Sequence, residues 1–371
     1  MKLILLSLVL AISAFADPLV LANYYAWYHT DEGHQGWTRP GGKKNPKALA
    51  VQRPGEPVLA SAAYPLIGPY DSANSAVAAW HVKLAEAAGI DAFLVDWWGT
   101  HKGRDANIDA GILPAVEGLG FKFALLDERA QFHNDWPRYK ASALAALKRY
   151  KDSPAYLKID GKPVYYLYQV AAAPTLTPAK FADLRQDVEA ALGPVYWIVN
   201  TIAHAHREPP AQQKRIPQDW LATEGVDAFA FYSTFSNFRA HRYDELIGKY
   251  RYLSGLAHGA GKKMLLPVHP GHDNSHFRDD SYIMPRRNGQ TLRDFLRAAT
   301  DAKADFVMIT SWNEWPETTV IEPSSSWPDP YLYLRILAEW RGQSFTPPAL
   351  PVLFGGSPQA RESDANEAPN N

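Results

Sequence analysis

Short apolar runs alternate with segments of helical period along most of this chain, and that alternation constrains its fold more than any other feature. Eight runs rich in β-branched and aromatic residues fall at 19–28, 90–98, 121–127, 164–169, 195–201, 226–232, 263–268 and 305–312. They are nearly continuous in apolar character, as strands covered on both faces are. Between them, segments 72–88, 139–150, 178–191, 243–260, 291–302 and 331–340 carry apolar residues at helical spacing. In the first of these Ser72 is placed to cap, and Val77, Trp80, Leu84 and Ala88 share one face. Strand and helix repeated to eight strands predict a closed parallel (β/α)8 barrel, a TIM barrel, rather than an open sheet. No G-x-G-x-x-G follows the first run, which counts against a dinucleotide-binding fold.

The connections are unequal. Helix-to-strand links are short, as at Ala87-Ala88-Gly89 and Gly118-Leu119-Gly120, whereas the strand-to-helix loops 29–70, 99–107, 203–212 and 270–290 are long. In a barrel those loops gather at the C-terminal face, so the added length lies on the functional side. One elaborated domain over 17–345 is expected. It is preceded by an export signal at 1–16, where Lys2, an apolar run from Leu3 to Ile12 and Ala14-Phe15-Ala16 describe a cleavable leader. That run is well short of the ~20 residues a membrane span needs. Residues 346–371 form a tail, and the Gly, Ser, Pro, Asn and Glu content from about 355 predicts disorder there. The chain has no Cys, so stability rests on core packing rather than disulfides. With 38 basic and 39 acidic residues, nothing in the charge points to nucleic acid or a charged membrane surface. Export to periplasm or medium and a monomeric state are expected.

The strongest local signal is Thr310-Ser311-Trp312-Asn313-Glu314-Trp315-Pro316-Glu317. Two acids three residues apart would point to opposite faces of a continuing strand. Pro316 fixes its own φ and biases Trp315 to extended geometry, so the chain should turn here and bring both carboxylates over the barrel mouth. Glycoside hydrolysis uses such a pair, one group to protonate the leaving oxygen and one as base or nucleophile. The alternative is that one acid caps the next helix or pairs with an Arg.

Other strand ends add polar and aromatic groups: Asp96 with Trp97 and Trp98, Glu128, Tyr168-Gln169, Asn200, and Tyr232-Ser233. Asp96 reads equally as a buried structural acid bonded to backbone amides. His269-Pro270-Gly271-His272-Asp273 and the pair His204 and His206 offer metal-ligating residue types. Neither supplies three or four converging ligands, so no metal and no other cofactor is expected. His272 and Asp273 then bind hydroxyls or order their loop, and Arg286-Arg287-Asn288-Gly289 reaches substrate or is solvated. Twelve Trp and nineteen Tyr, clustered as in Tyr24-Tyr25-Ala26-Trp27-Tyr28, suit an oligo- or polysaccharide, whose C–H faces rest on flat rings.

These residues resemble glycoside hydrolase family 99, the endo-α-mannosidase and endo-α-mannanase family, along nearly the whole mature chain. The matching pieces are Tyr24 to Tyr28, Gly68-Pro69-Tyr70-Asp71, Ala88 to Asp91 leading to Asp96-Trp97-Trp98-Gly99, Glu128, Pro270 to Asp273, and Arg287-Asn288-Gly289. The most specific is Ile309 through Glu317 to Ile321-Glu322-Pro323.

The resemblance implies a retaining, endo-acting hydrolase of α-mannosides or closely similar α-glycosides. By the same mapping Glu314 acts as base on the sugar's own 2-hydroxyl, which forms a 1,2-anhydro sugar, and Glu317 is acid for the leaving group and then base for water. Glu317 needs a raised pKa for that role, which burial among Trp312, Trp315 and Trp327 would provide. Tyr25, Trp27, Trp97, Trp98, Glu128, Tyr168, Tyr232, His272, Asp273, Trp312 and Asn313 are the expected substrate-binding set. Where the family commonly has His between the acids and Gly after the second, this chain has Pro316 and Thr318. Those departures, and a first loop that matches little beyond Gly36-Trp37, bear on sugar and linkage more than on the reaction. A glycan-binding barrel without catalysis, or a hydrolase of a different polysaccharide, are the alternatives, and the two acids together favour an enzyme.

Overall fold

The structure, a computed structural model, describes residues 17–30, 36–37, 59–99, 104–128, 135–168, 176–201, 216–232, 244–279 and 281–352. The expected leader at 1–16, most of loop 29–70, all of loop 203–212 with His204 and His206, Gln169, Ser233 and the tail beyond 352 lie outside the described residues.

Eight parallel strands form the barrel. They are β1 Leu19–Tyr24, β2 Ala92–Trp97, β3 Lys122–Asp127, β4 Lys162–Leu167, β5 Tyr196–Val199, β6 Ala228–Ala230, β7 Lys263–Val268 and β8 Phe306–Ile309. Each pairs with its neighbours in chain order, and β1 joins β8 through Leu19↔Phe306 to Ala22↔Ile309, which closes the sheet. All six residues of β2 are buried, as expected of a strand covered by side chains within and helices outside. A helix follows every strand: α1 Ser75–Ala87, α2 Leu113–Leu119, α3 Trp136–Tyr150, α4 Pro178–Leu192, α5 Gln218–Leu221, α6 Asp244–Gly259, α7 Gln290–Asp301 and α8 Leu332–Trp340. No helix among the described residues is long and apolar enough to cross a membrane.

The helix boundaries follow local chemistry. α1 starts later than expected because Asn74, not Ser72, caps it: the Asn74 side chain accepts from Ala76 N at 3.0 Å. The Ser72 hydroxyl instead accepts from Tyr28 N at 3.0 Å and ties the first loop to the helix. α3 starts earlier than expected, since Asp135 accepts from Arg138 N and Pro137 is tolerated in a first turn. The loop after β2 is shorter than expected, because helix resumes at Arg104–Asn107 and runs through a π-helical turn, Ile108–Ile112, into α2.

The strands end earlier than the apolar runs do. Tyr25 to Tyr28 and Thr310 to Trp312 lie beyond β1 and β8, although they continue the same apolar pattern. Their backbone groups find other partners there: Trp312 N donates to Asn23 O at 2.8 Å, and Tyr25 N donates to the Asn313 side chain at 2.7 Å. A second small core over the mouth, built from Tyr25, Tyr28, Trp37, Tyr64, Tyr70, Trp315 and others, seals the seam between the β1 and β8 loops. The loop after β7 carries a short antiparallel hairpin, His272–Asp273 with Ile283–Met284.

Candidate active site

The chain does turn at Pro316. Thr318 N donates to Trp315 O at 2.9 Å and Thr319 N to Glu314 O at 3.3 Å, which closes the segment carrying both acids. Ser311 Oγ accepts from Glu314 N at 2.8 Å and holds the entry to the turn.

Four acids from three strand ends surround one pair of phenols. The Tyr25 and Tyr232 hydroxyls lie 2.8 Å apart. Burial, then Tyr232, then the charges of Glu314, Glu128 and Asp96 push the Tyr25 hydroxyl well above its usual range. Tyr232 is raised in the same way, by burial first, then Glu317 and Glu128. Both phenols therefore stay protonated and can donate hydrogen bonds at any ordinary pH. Glu314, Glu128 and Asp96 are buried, whereas the Glu317 side chain keeps 26% of its surface open. Glu317 is thus the acid of this group that can meet both a leaving oxygen and water.

Each of the three indoles expected to enclose Glu317 is shown against another partner. Trp312 is fully buried and packs edge-on against His81 at 5.5 Å and Phe93 at 5.2 Å. Trp315 points inward and donates Nε1 to Glu322 at 2.9 Å, and Trp327 lies on the Arg286 guanidinium at 4.6 Å. Trp312 therefore presents no face to a sugar, contrary to expectation. Trp97 is also buried, its Nε1 donating to Asp105 at 3.1 Å. Asn313 is spent on structure: it accepts from Tyr25 N and donates to Tyr25 O at 3.0 Å and to the Tyr70 hydroxyl at 3.1 Å. These three were drawn into the substrate set by motif position, but the strand ends turn them into the core.

The remaining expected residues gather at the mouth. Trp27 is partly exposed with its ring 4.5 Å from Tyr25, and Tyr168 meets Tyr232 edge-on at 4.7 Å. Trp98, partly exposed, donates to Asp96 at 2.7 Å, so the partner shown for Asp96 is an indole rather than the backbone amides expected. His272 Nδ1 lies 3.9 Å from Glu317 Oε2. Asp273 orders the loop, accepting from Ser275 N at 3.0 Å and donating its own N to Glu317 O at 2.9 Å. Burial, reinforced by His272, depresses His269 to about 3, so it is a neutral core imidazole. Among the described residues no three His, Asp or Glu side chains are arranged to hold a metal ion.

A layer beneath the site escaped the sequence. Glu322, fully buried, accepts from the Tyr70 hydroxyl at 2.8 Å, from Trp315 Nε1 and from His81 Nε2 at 3.2 Å. With Nε2 donating, His81 Nδ1 is left to accept from the Tyr24 hydroxyl at 3.3 Å, a tautomer assigned from these partners. The one available signal was Glu322 itself, an acid amid apolar residues directly before Pro323. Arg286, expected to reach substrate or be solvated, is partly buried and instead donates to Thr318 O at 2.7 Å and Val320 O at 3.0 Å. Thr318 has φ +49°, a left-handed conformation awkward for a β-branched residue and easy for glycine. Its hydroxyl donates to Trp315 O at 3.2 Å and accepts from Ala62 N at 3.1 Å, which compensates.

A closed (β/α)8 barrel with paired carboxylates, phenols and indoles at the C-terminal ends of its strands is the architecture of a barrel glycosidase. Comparison with known proteins identifies which: the model for Glycosyl hydrolase family 99 matches residues 13–336, and the chain belongs to that family and is a glycoside hydrolase. It is 25% identical over 349 residues to a Glycoprotein endo-alpha-1,2-mannosidase-like protein of Danio rerio, covering 83% of this chain and 68% of that one. It is 23% identical over 330 residues to the Glycoprotein endo-alpha-1,2-mannosidase of Mus musculus, covering 81% and 67%. Among solved structures the GH99 endo-alpha-mannosidase from Bacteroides thetaiotaomicron superposes with a TM-score of 0.66 at 20% identity, covering 87% of this chain and 96% of the other. That last likeness concerns the fold.

Proposed function

We propose that this protein is a retaining, endo-acting hydrolase of α-mannosidic linkages in extracellular glycans, exported by its leader and working as a monomer. The observation that carries the proposal is the convergence of Glu314, Glu317 and Glu128 on the Tyr25–Tyr232 pair at the barrel mouth. Glu314 removes the proton from the 2-hydroxyl of the sugar at the cleavage point. That oxygen attacks the anomeric carbon as the glycosidic bond breaks, and Glu317 delivers its proton to the departing oxygen. Glu317 then takes a proton from water, whose oxygen opens the 1,2-anhydro sugar at the anomeric carbon, and the proton held by Glu314 returns to the 2-oxygen. Two displacements at one carbon retain its configuration. The burial of Glu314 and the partial exposure of Glu317 suit this division, since only the second must meet water. Trp27 and Trp98, with Tyr168 and Glu128, line the sugar side.

Product analysis on α-1,2-, α-1,3- and α-1,6-linked mannans and on α-glucans tests the proposal, with Glu317→Gln in parallel. Oligosaccharides released with retained configuration from one mannan, and absent with Glu317→Gln, are the expected result. Inverted products, or cleavage of an α-glucan alone, would overturn it, and a stable dimer by light scattering would overturn the monomer.

A further inference from the structure

We infer that Arg286 is a positioning residue for Glu317, fixing the backbone on which the acid sits from the neighbouring hairpin rather than touching substrate. The inference rests on the role proposed for Glu317 above. All four carbonyls from Glu317 to Val320 are held: Glu317 O by Asp273 N at 2.9 Å, Thr318 O by Arg286, Thr319 O by Ser311 N at 2.9 Å, and Val320 O by Arg286 again. One guanidinium thus supplies two of the four, and it does so with a single nitrogen, Nη2, bridging both oxygens at 2.7 and 3.0 Å.

The path to that position is built. The guanidinium lies in the corner of two perpendicular rings, 4.6 Å from Trp327 and 4.7 Å from Tyr333, which are themselves 4.7 Å apart, so its orientation is restricted before it reaches the carbonyls. Gly271 gives its stem room, since a Cβ there would fall 2.4 Å from Arg286 Cγ. A cation on this carbonyl row is well matched, because each C=O presents its negative end, and hydrogen bonds from a charged donor are about twice as strong as neutral ones. The turn needs such a hold: Thr318 occupies a left-handed conformation one residue after Glu317, and relaxing it would swing the carboxylate away from its place 3.9 Å from His272. A displacement near 1 Å costs on the order of 100-fold in rate.

The test compares wild type with Arg286→Ala and Arg286→Lys, reading kcat and KM on the cleaved mannan, the response to added guanidinium ion, and amide hydrogen exchange in peptides covering 314–321. Arg286→Ala should lower kcat about 100-fold with KM within about threefold. Guanidinium should restore at least about tenfold of the loss, and exchange should quicken at least about tenfold in 314–321 while the barrel strands stay protected. Arg286→Lys keeps the charge without the planar fork, so its kcat should fall about tenfold with the same local exchange signature, and it serves if Arg286→Ala does not fold. Unchanged kcat and exchange would overturn the inference, as would a loss that guanidinium does not rescue and that loosens the whole barrel equally. Wild type inactive on every mannan would reject the activity proposed above, while the exchange comparison would still decide the clamp.

Discussion

The two ends of this barrel use carboxylates in opposite ways. At the N-terminal end Asp91, Asp227 and Asp305 each directly precede an even-numbered strand and reach back to the preceding odd one. Asp91 accepts from Val20 N at 2.7 Å, Asp227 from Trp197 N at 2.9 Å and Asp305 from Met264 N at 2.9 Å. In each case the bonded amide is that of the second residue of the odd strand. Each acid also meets a base: Arg341 for Asp91, Lys162 for Asp227, Lys263 and His258 for Asp305. The fourth pair, β3 and β4, departs from the pattern, since Phe123 N donates to Ala155 O. At the C-terminal end the charges of Glu314, Glu128, Asp96 and Glu317 act on the Tyr25 and Tyr232 phenols, Asp96 accepts from the Trp98 indole, and Glu317 faces His272 at 3.9 Å. A carboxylate given a backbone amide and a cation is a register pin; one set at the barrel mouth beside phenols, an indole or an imidazole is placed for chemistry.

The widest break between the two sets should come from neutralising one acid at each end. Glu317→Gln and Glu314→Gln should each cost about 10³-fold or more in kcat, roughly 4 kcal/mol of transition-state stabilisation, with unfolding temperature nearly unchanged. Asp227→Asn should do the reverse, leaving kcat within about twofold and lowering stability by about 1 kcal/mol. If Asp227→Asn abolished turnover, or Glu314→Gln unfolded the chain, the division of labour would fail.

His269 sharpens the contrast, because it directly follows β7 at the upper end yet is a fully buried imidazole. Its folded value, pushed down to about 3, lies below the ordinary ~6.5 of an unfolded chain. The unfolded state therefore takes up a proton first as pH falls, and stability declines from about pH 6.5 towards 3 with a slope near 1.4 kcal/mol per unit from this group. Urea titrations at several pH values should show that slope, and His269→Gln should remove it. An unchanged slope in that variant would mean the imidazole is protonated in the fold. A smaller effect is expected at the phenol pair: Tyr232→Phe should lower kcat about tenfold with little change in stability, read from steady-state kinetics and thermal melts.

The barrel and the acid turn were legible from residue order, the site's inner layer much less so. Eight apolar runs in alternation with helical periods admit few folds, and Pro316 between two acids announces a turn. Strand ends were not legible, because Tyr25 to Tyr28 and Thr310 to Trp312 are as apolar as the strands they extend. Their departure depends on Asn313 reaching Tyr25 across the β1–β8 seam, a contact 288 residues apart in sequence. The same ambiguity placed Trp97 and Trp312 in the substrate set: an indole at a strand end faces either ligand or core, and which it faces follows from where the ladder stops. Arg286 was read as reaching substrate or solvated, because the partners it does find are carbonyls, which carry no sequence signal. The N-terminal aspartates were visible one by one, yet their common role emerges only from register, which sets Asp91 beside Val20, Asp227 beside Trp197 and Asp305 beside Met264.

Asp305 offers the finest test of that role. Burial raises its pKa, but Lys263, His258 and the Met264 amide together outweigh burial and hold it below the usual carboxylate range. A carboxyl depressed in the fold adds stability above its unfolded value near 3.9, and loses it as pH falls through the folded value. The contribution is small, about 1 kcal/mol, since Lys263 and His258 are largely exposed and water screens them. Asp305→Asn should therefore melt about 2 °C lower at pH 7, and the gap from wild type should begin to narrow below about pH 4 and close as pH falls through the lower folded value, where wild type loses the same charge. A gap independent of pH would show that the amide contact alone holds β7 in register; kcat should be unmoved in either case. If kcat fell with the melting temperature, strand register at the lower end would be transmitted to the upper one, and the two ends of the barrel could no longer be treated as separate.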